Sequence, residues 1–98
     1  MRYIGTVESE EFEWDDEKER ANIAKHGVNF RTAAEVFSDP FLFEYEDDRS
    51  YSEIRWNALG MVGRKLLHVT YTERGDITRI ISAREAEPYE RRKYYNAI

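Results

Sequence analysis

The sequence contains no cysteine, only two prolines and five glycines, and no long apolar run. Without cysteine, neither a disulfide nor a thiolate nucleophile is available. The apolar stretches fall short of the roughly 20 residues that span a bilayer, and the N-terminal MRYIGTVESE lacks a signal-peptide pattern. We predict one cytoplasmic domain over residues 1–98, with residues 1–11 as a poorly ordered lead-in or an edge strand.

Few residues suit metal or nucleophile chemistry. The two histidines, His26 and His68, are far apart, and neither has a partner at zinc-ligand spacing. The sequence also lacks a nucleophile elbow and a glycine-rich phosphate loop. We therefore predict neither a metal nor a cofactor.

The charges are unevenly distributed along the chain. The net charge is −5, but residues 1–48 carry 14 acidic and 5 basic side chains, whereas residues 49–98 carry 6 acidic and 10 basic ones. The basic half could meet phosphates while the acidic half meets a basic partner. Ordinary solvated surfaces are the alternative.

Two β-hairpins are predicted between residues 52 and 84. One hairpin covers residues 66–84 and has its loop at Arg74-Gly75. The other joins strand 52–62 to the first strand of that hairpin through a loop at Gly63-Arg64. Both loops place apolar side chains on one face and polar, basic side chains on the other. Arg84 joins the polar face only at the end of the sheet or through a β-bulge. The predicted cross-strand pairs are Tyr71 with Thr78, Val69 with Ile80, Leu67 with Ser82, Trp56 with Tyr71, Ala58 with Val69, and Gly60 with Leu67.

Helical patterns flank these strands. We predict an α+β fold in which N-terminal helices pack on one face of a small antiparallel sheet and a short helix ends the chain. The elements expected are a helix from Asp15 or Asp16 to Gly27 with Ala21, Ala24 and Val28 at helical spacing, a helix capped by Asn29 and ended by Asp39-Pro40, a strand over 41–45, a polar loop over 46–50, and a basic helix from Pro88.

A basic sheet face lined with hydroxyl groups suits a phosphodiester. Arg55 and Arg79 share that face, and guanidinium groups match phosphate oxygens. RNA supplies its own 2′-hydroxyl nucleophile, so cleavage needs a base, an acid and a charge stabiliser. His68 could equally be a packing residue, and Lys25-His26 could simply complement a helix dipole. The candidates for proton transfer are Glu53, His68, His26 and Lys25.

The chain resembles the BrnT family of type II toxins over nearly all of residues 12–95. The resemblance is carried by Phe12-Glu13-Trp14-Asp15, Lys18, Asn22, Lys25-His26-Gly27-Val28, Phe30, Ala33, Val36-Phe37-Ser38-Asp39-Pro40, Glu53-x-Arg55, Gly60, Thr72-Glu73-Arg74-Gly75, Arg79-Ile80-Ile81-Ser82-Ala83-Arg84 and Glu90-Arg91-Arg92-x-Tyr94.

This resemblance implies a RelE-like ribonuclease that halts translation and needs no metal. It also implies a BrnA-like antitoxin with a ribbon-helix-helix part, through which the complex binds operator DNA and represses its own operon. The active-site candidates carried over are Lys25, His26, Glu53, Arg55, Arg79 and Arg84. Further candidates for contact with RNA are Arg64, Arg74, His68, Arg91 and Arg92.

Two features differ from the family pattern, namely the acidic lead-in Glu8 to Glu11 and the low net charge. An acidic surface would suit a basic antitoxin segment. The alternative function is a non-catalytic binding module that modulates a DNA-binding repressor partner, with the basic face docking protein or backbone phosphate.

Overall fold

The computed structural model describes the backbone of residues 2–7 together with residues 10–49 and 52–98. The elements are β1 (Arg2–Val7), β2 (Glu10–Asp15), α1 (Asp16–His26), α2 (Phe30–Ala34) with a following 3₁₀ turn (Glu35–Ser38), β3 (Phe43–Glu46), β4 (Trp56–Val62), β5 (Lys65–Arg74), β6 (Ile77–Glu85) and α3 (Pro88–Asn96). The strand expected over 52–62 therefore begins only at Trp56. Part of the expected polar loop, residue 50, lies outside the described residues.

The strands form one six-stranded sheet in the order β1-β2-β6-β5-β4-β3. The expectation of an antiparallel sheet is wrong for one pair, because β2 and β6 run parallel through residues 11–13 and 77–79. The sheet is therefore mixed. Turn residues predict only pairings between neighbouring strands, so this long-range pair left no local pattern to read.

The β4–β5 hairpin has the predicted register. Trp56 lies opposite Tyr71, and Ala58 lies opposite Val69. Gly63, with φ at 61°, occupies the first loop position, where a residue without Cβ adopts this conformation at no steric cost. The whole predicted pairing of this hairpin is confirmed.

The β5–β6 hairpin differs from its predicted register. Its two-residue loop is Gly75-Asp76, because Arg74 pairs with Ile77. Each predicted pair on these strands is therefore wrong by two residues or more, and Tyr71 lies opposite Ile80 instead of Thr78. Since a shift of two preserves the side-chain face, the separation into an apolar and a polar face survives.

A β-bulge then changes the parity of β6. The register shifts between Thr70 and Tyr71, which leaves Ile81 without a partner on β5. Beyond the bulge, Ala83 lies opposite Val69 and Arg84 lies opposite His68. The bulge therefore turns Arg84 toward the polar face, as the sequence required for it to join the other basic residues.

Helix α1 has the predicted ends but a different buried side. The Asp15 carboxylate caps it by accepting hydrogen bonds from the Glu17 and Lys18 amides, and Gly27 ends it in the left-handed conformation. The expected apolar residues Ala21 and Ala24 are exposed. The buried residue of α1 is Asn22, because its side chain forms hydrogen bonds with the edge of β6.

The sheet separates two apolar clusters. The larger lies under α2 and the 3₁₀ turn and contains Phe12, Phe30, Val69 and Ile80, while a smaller one forms on the other face around Leu59, Leu66 and Tyr94 of α3. The second helix is shorter than expected, because only Phe30–Ala34 is α-helical. Within the described residues, the helices are too short and too polar to cross a membrane.

Candidate active site

The polar face of the sheet is the face that points away from α2. Alternation along the strands places on it Asn57 and Leu59 of β4, His68, Thr70, Thr72 and Arg74 of β5, Arg79, Ser82 and Arg84 of β6, and Glu13 of β2. Arg79 lies opposite Thr72 and Arg84 opposite His68. The two arginines are therefore about 13 Å apart along the strand direction.

The buried carboxylate of Glu90, on α3, forms a bidentate pair with Arg84. Arg84 Nη1 donates to Oε1 of Glu90 at 2.7 Å, and Arg84 Nη2 donates to Oε2 at 2.8 Å. The Oε2 atom also lies 3.5 Å from Nε2 of His68. Three elements thus meet in one Arg84–Glu90–His68 cluster, which joins a guanidinium, a carboxylate and an imidazole.

This cluster lines a cavity of about 420 Å³. The volume falls within the range of small-molecule pockets. One wall is Tyr45, whose ring centroid lies 4.2 Å from Nζ of Lys93. The remaining lining residues are Glu46, Asp47, Asp48, Arg49, Asn57 and Tyr89.

The environment separates the protonation states of the cluster. Burial lowers the pKa of His68, and the nearby Glu90 carboxylate offsets this only in part. Burial alone would raise the pKa of Glu90, but hydrogen bonds from Arg84 and from the Glu87 amide hold it below its usual value. At neutral pH the imidazole is therefore uncharged and able to accept a proton, beside an ionised carboxylate and a charged guanidinium.

The tyrosine in the wall is a poor proton donor at neutral pH. Burial, together with the charge of Glu90, raises the pKa of Tyr45 to about 12. Its hydroxyl therefore remains protonated across the physiological range.

Arg79 and Arg55 lie toward the other end of the polar face. Arg79 forms an ion pair with Glu13, its partner across the parallel β2–β6 pair. Arg55 Nε lies 3.3 Å from Oε2 of Glu53, and Oε1 of the same carboxylate lies 3.8 Å from Nη2 of Arg74. Three predicted site residues, Glu53, Arg55 and Arg74, are therefore brought together. Arg55 also helps to lower the pKa of Asp47, which lines the cavity.

The other candidates are separate from these groups. Lys25 and His26 are exposed in the last turn of α1. Across the described ranges, neither forms a hydrogen bond or ion pair with the polar face. Arg64 is exposed in the β4–β5 loop, and Arg91 and Arg92 are exposed on α3. The roles of these five residues remain predictions.

Sequence reasoning did not identify Glu90, Tyr45 or Lys93 as site residues. Glu90 follows Pro88 at the third helical position, where its carboxylate accepts a hydrogen bond from the Glu87 amide in a capping box. A capping role accounts for such a glutamate in a sequence. Its contact with Arg84 depends on how α3 docks, so the sequence alone offered only the Pro-x-Glu pattern.

A family model matches residues 14–90 of the chain, which include the Arg84–Glu90–His68 cluster. The family is described as "Ribonuclease toxin, BrnT, of type II toxin-antitoxin system". Comparison with curated proteins finds no match.

Proposed function

Because the chain belongs to the BrnT family of ribonuclease toxins from type II toxin-antitoxin systems, we propose that the cavity at Arg84 is the site where it cleaves RNA. The observation that supports this site best is the Arg84–Glu90–His68 cluster lining a cavity on the polar face. Arg79 and the Glu53–Arg55–Arg74 group would extend the substrate track along the same face. The RelE-like fold implied by the family resemblance is part of this proposal.

The chemistry proposed is attack by the 2′-hydroxyl of RNA on the adjacent phosphorus. His68 takes the 2′-proton as the 2′-oxygen forms its bond to phosphorus, and the bond to the 5′-oxygen breaks. The imidazolium, or water, then returns a proton to the leaving 5′-oxygen. Arg84 faces the oxygens that gain negative charge, where a fixed donor stabilises the transition state. The products are a 2′,3′-cyclic phosphate and a 5′-hydroxyl.

Burial lowers the pKa of His68, so its imidazole is neutral at neutral pH. A general base must be unprotonated before it can accept a proton. The exposed His26 on α1 is the competing candidate from the sequence. The two histidines can be separated by experiment, since the chain contains only these two.

The test is RNA cleavage in EDTA by purified protein and its His68→Gln and His26→Gln variants. If His68 is the base, its variant should lose on the order of 10² to 10⁴ in rate while the His26 variant retains cleavage. The reverse result would assign catalysis to the end of α1. Loss of wild-type cleavage in EDTA would contradict metal independence.

We also propose that a BrnA-like antitoxin with a ribbon-helix-helix part neutralises the protein and that their complex represses the operon. The acidic first half of the chain supports docking of a basic segment. Purified protein that leaves RNA intact but sharpens operator binding by its partner would favour the non-catalytic module instead. One observation favours this second function, namely that the cavity lining contains four carboxylates, those of Glu46, Asp47, Asp48 and Glu90.

A further inference from the structure

Glu90 makes more contacts than a capping residue requires. Its side chain is fully buried. Oε1 accepts hydrogen bonds from Arg84 Nη1 at 2.7 Å and from the Glu87 amide at 2.8 Å, and Oε2 accepts from Arg84 Nη2 at 2.8 Å. Oε2 also lies 3.5 Å from His68 Nε2. One carboxylate therefore connects α3 with β5 and β6.

We propose that Glu90 is a positioning residue, which fixes the guanidinium plane of Arg84 and holds the imidazole of His68 beside it. This inference rests on the proposed ribonuclease function, and it assigns no contact between Glu90 and RNA. A bidentate carboxylate fixes both the place and the plane of a guanidinium, which a single hydrogen bond does not. Because the carboxylate belongs to α3, the active geometry depends on that helix being docked.

The negative charge of Glu90 should matter as well as its shape. The charged and titratable groups that line the cavity with His68 are Tyr89, Glu90 and Lys93 from α3, Arg84 from β6, Tyr45 and Glu46 from β3, and Asp47, Asp48 and Arg49 from the loop after β3. Asp47 is itself paired with Arg49 at 2.7 Å. Glu90 therefore provides the nearest anion to His68, and it favours the imidazolium that forms when His68 takes a proton.

Two variants separate charge from shape. Glu90→Gln keeps an oxygen that can accept from the Glu87 amide but removes the charge. Glu90→Asp keeps the charge but is one methylene too short for the bidentate pair. Glu87→Gln is the matched control. Glu87 is the residue that caps α3, and its Oε1 lies 3.4 Å from Arg84 Nη2, but its side chain is 58% exposed.

The first measurement is the NMR titration of the two histidines in the free protein, with His26 as the internal reference. Glu90→Gln should lower the pKa of His68, because the nearest anion is lost while Arg84 remains, and should leave His26 unchanged. Glu87→Gln should move neither residue. An unchanged pKa of His68 in a folded Glu90→Gln protein would overturn the proposal.

The second measurement is the pH dependence of RNA cleavage. In the pH–rate profile of Glu90→Gln, the acid limb should move to lower pH together with the pKa of His68. Glu90→Asp should instead lose on the order of 10²-fold in rate, with a smaller displacement of the acid limb. Variants that are less stable but keep the wild-type profile would reduce Glu90 to a structural cap. If wild-type protein cleaves no RNA but the His68 pKa still falls in Glu90→Gln, the ribonuclease site is wrong while the positioning of His68 is supported.

Discussion

Replacing Asn22 by alanine should destabilise the protein by about 3 kcal/mol. Strand β2 covers β6 only at residues 77–79, so the outer edge of β6 is uncovered further along. The Asn22 side chain takes the place of a neighbouring strand there. Its Nδ2 donates to the Ala83 carbonyl at 2.7 Å and to the Val28 carbonyl at 2.9 Å, and its Oδ1 accepts from the Ala83 amide at 3.1 Å.

The magnitude follows from those contacts. Each hydrogen bond contributes about 1 kcal/mol net, and a buried backbone group left without a partner costs about 1–3 kcal/mol. Ala83 is only 1% exposed, so water has poor access to its amide and carbonyl. A loss of about 3 kcal/mol is a large part of the 5–15 kcal/mol typical of a folded domain. It would lower the Tm by roughly 12–24 °C.

Urea unfolding followed by tryptophan fluorescence measures this loss. Asn96→Ala, at an exposed position in the last turn of α3, is the matched control and should change stability by less than about 0.5 kcal/mol. Asn22→Asp should be at least as unstable as the alanine variant at neutral pH, because a carboxylate would face two carbonyl oxygens, and should recover as acid protonates it. A loss below about 1 kcal/mol for Asn22→Ala would refute the strand-like role of this side chain.

Three further predictions use the same unfolding assay. Gly60→Ala should cost about 1–3 kcal/mol, because an added Cβ would lie 2.8 Å from backbone and side-chain atoms of the 3₁₀ turn; unchanged stability would contradict that packing. Arg79→Ala should cost about 1–3 kcal/mol, because it removes an ion pair from the buried Glu13, and adding Glu13→Gln to that variant should recover part of the loss. Burial alone would raise the pKa of Asp39, but hydrogen bonds, including one from the Tyr94 hydroxyl, lower it. Tyr94→Phe should therefore lower the free energy of unfolding by about 1.5 kcal/mol. The whole loss should be present above about pH 4, and it should shrink as the pH falls through the pKa of Asp39 in the folded protein. A loss that does not depend on pH would exclude this linkage.

The two hairpins show how far local patterns predict a sheet. The β4–β5 register was correct at each predicted pair, because Gly63-Arg64 offered one consistent loop. In the β5–β6 hairpin, Gly75 could occupy either loop position, and it occupies the first, with φ at 61°. Both choices keep the apolar residues on one face, so hydrophobic patterning could not distinguish them.

The candidate site depends on long-range events that the sequence does not encode locally. The bulge brings Arg84 opposite His68, and the docking of α3 brings Glu90 between them. Arg79, by contrast, could be assigned to the polar face from strand alternation alone. Face and residue type were therefore predictable, whereas the pairing of each cation with its carboxylate required the tertiary structure.

Those pairings alter the meaning of the net charge of −5. Arg84, Arg79 and Arg55 each have a carboxylate partner on or beside the polar face. A guanidinium that is already paired with a carboxylate attracts a singly charged phosphodiester weakly. The attraction becomes stronger when a reacting phosphate acquires a second negative charge. Interactions that strengthen in the transition state raise the rate, whereas equal binding of substrate and transition state does not. A low net charge is thus compatible with the proposed ribonuclease, which would bind its substrate weakly and stabilise the transition state through the arginine that Glu90 positions.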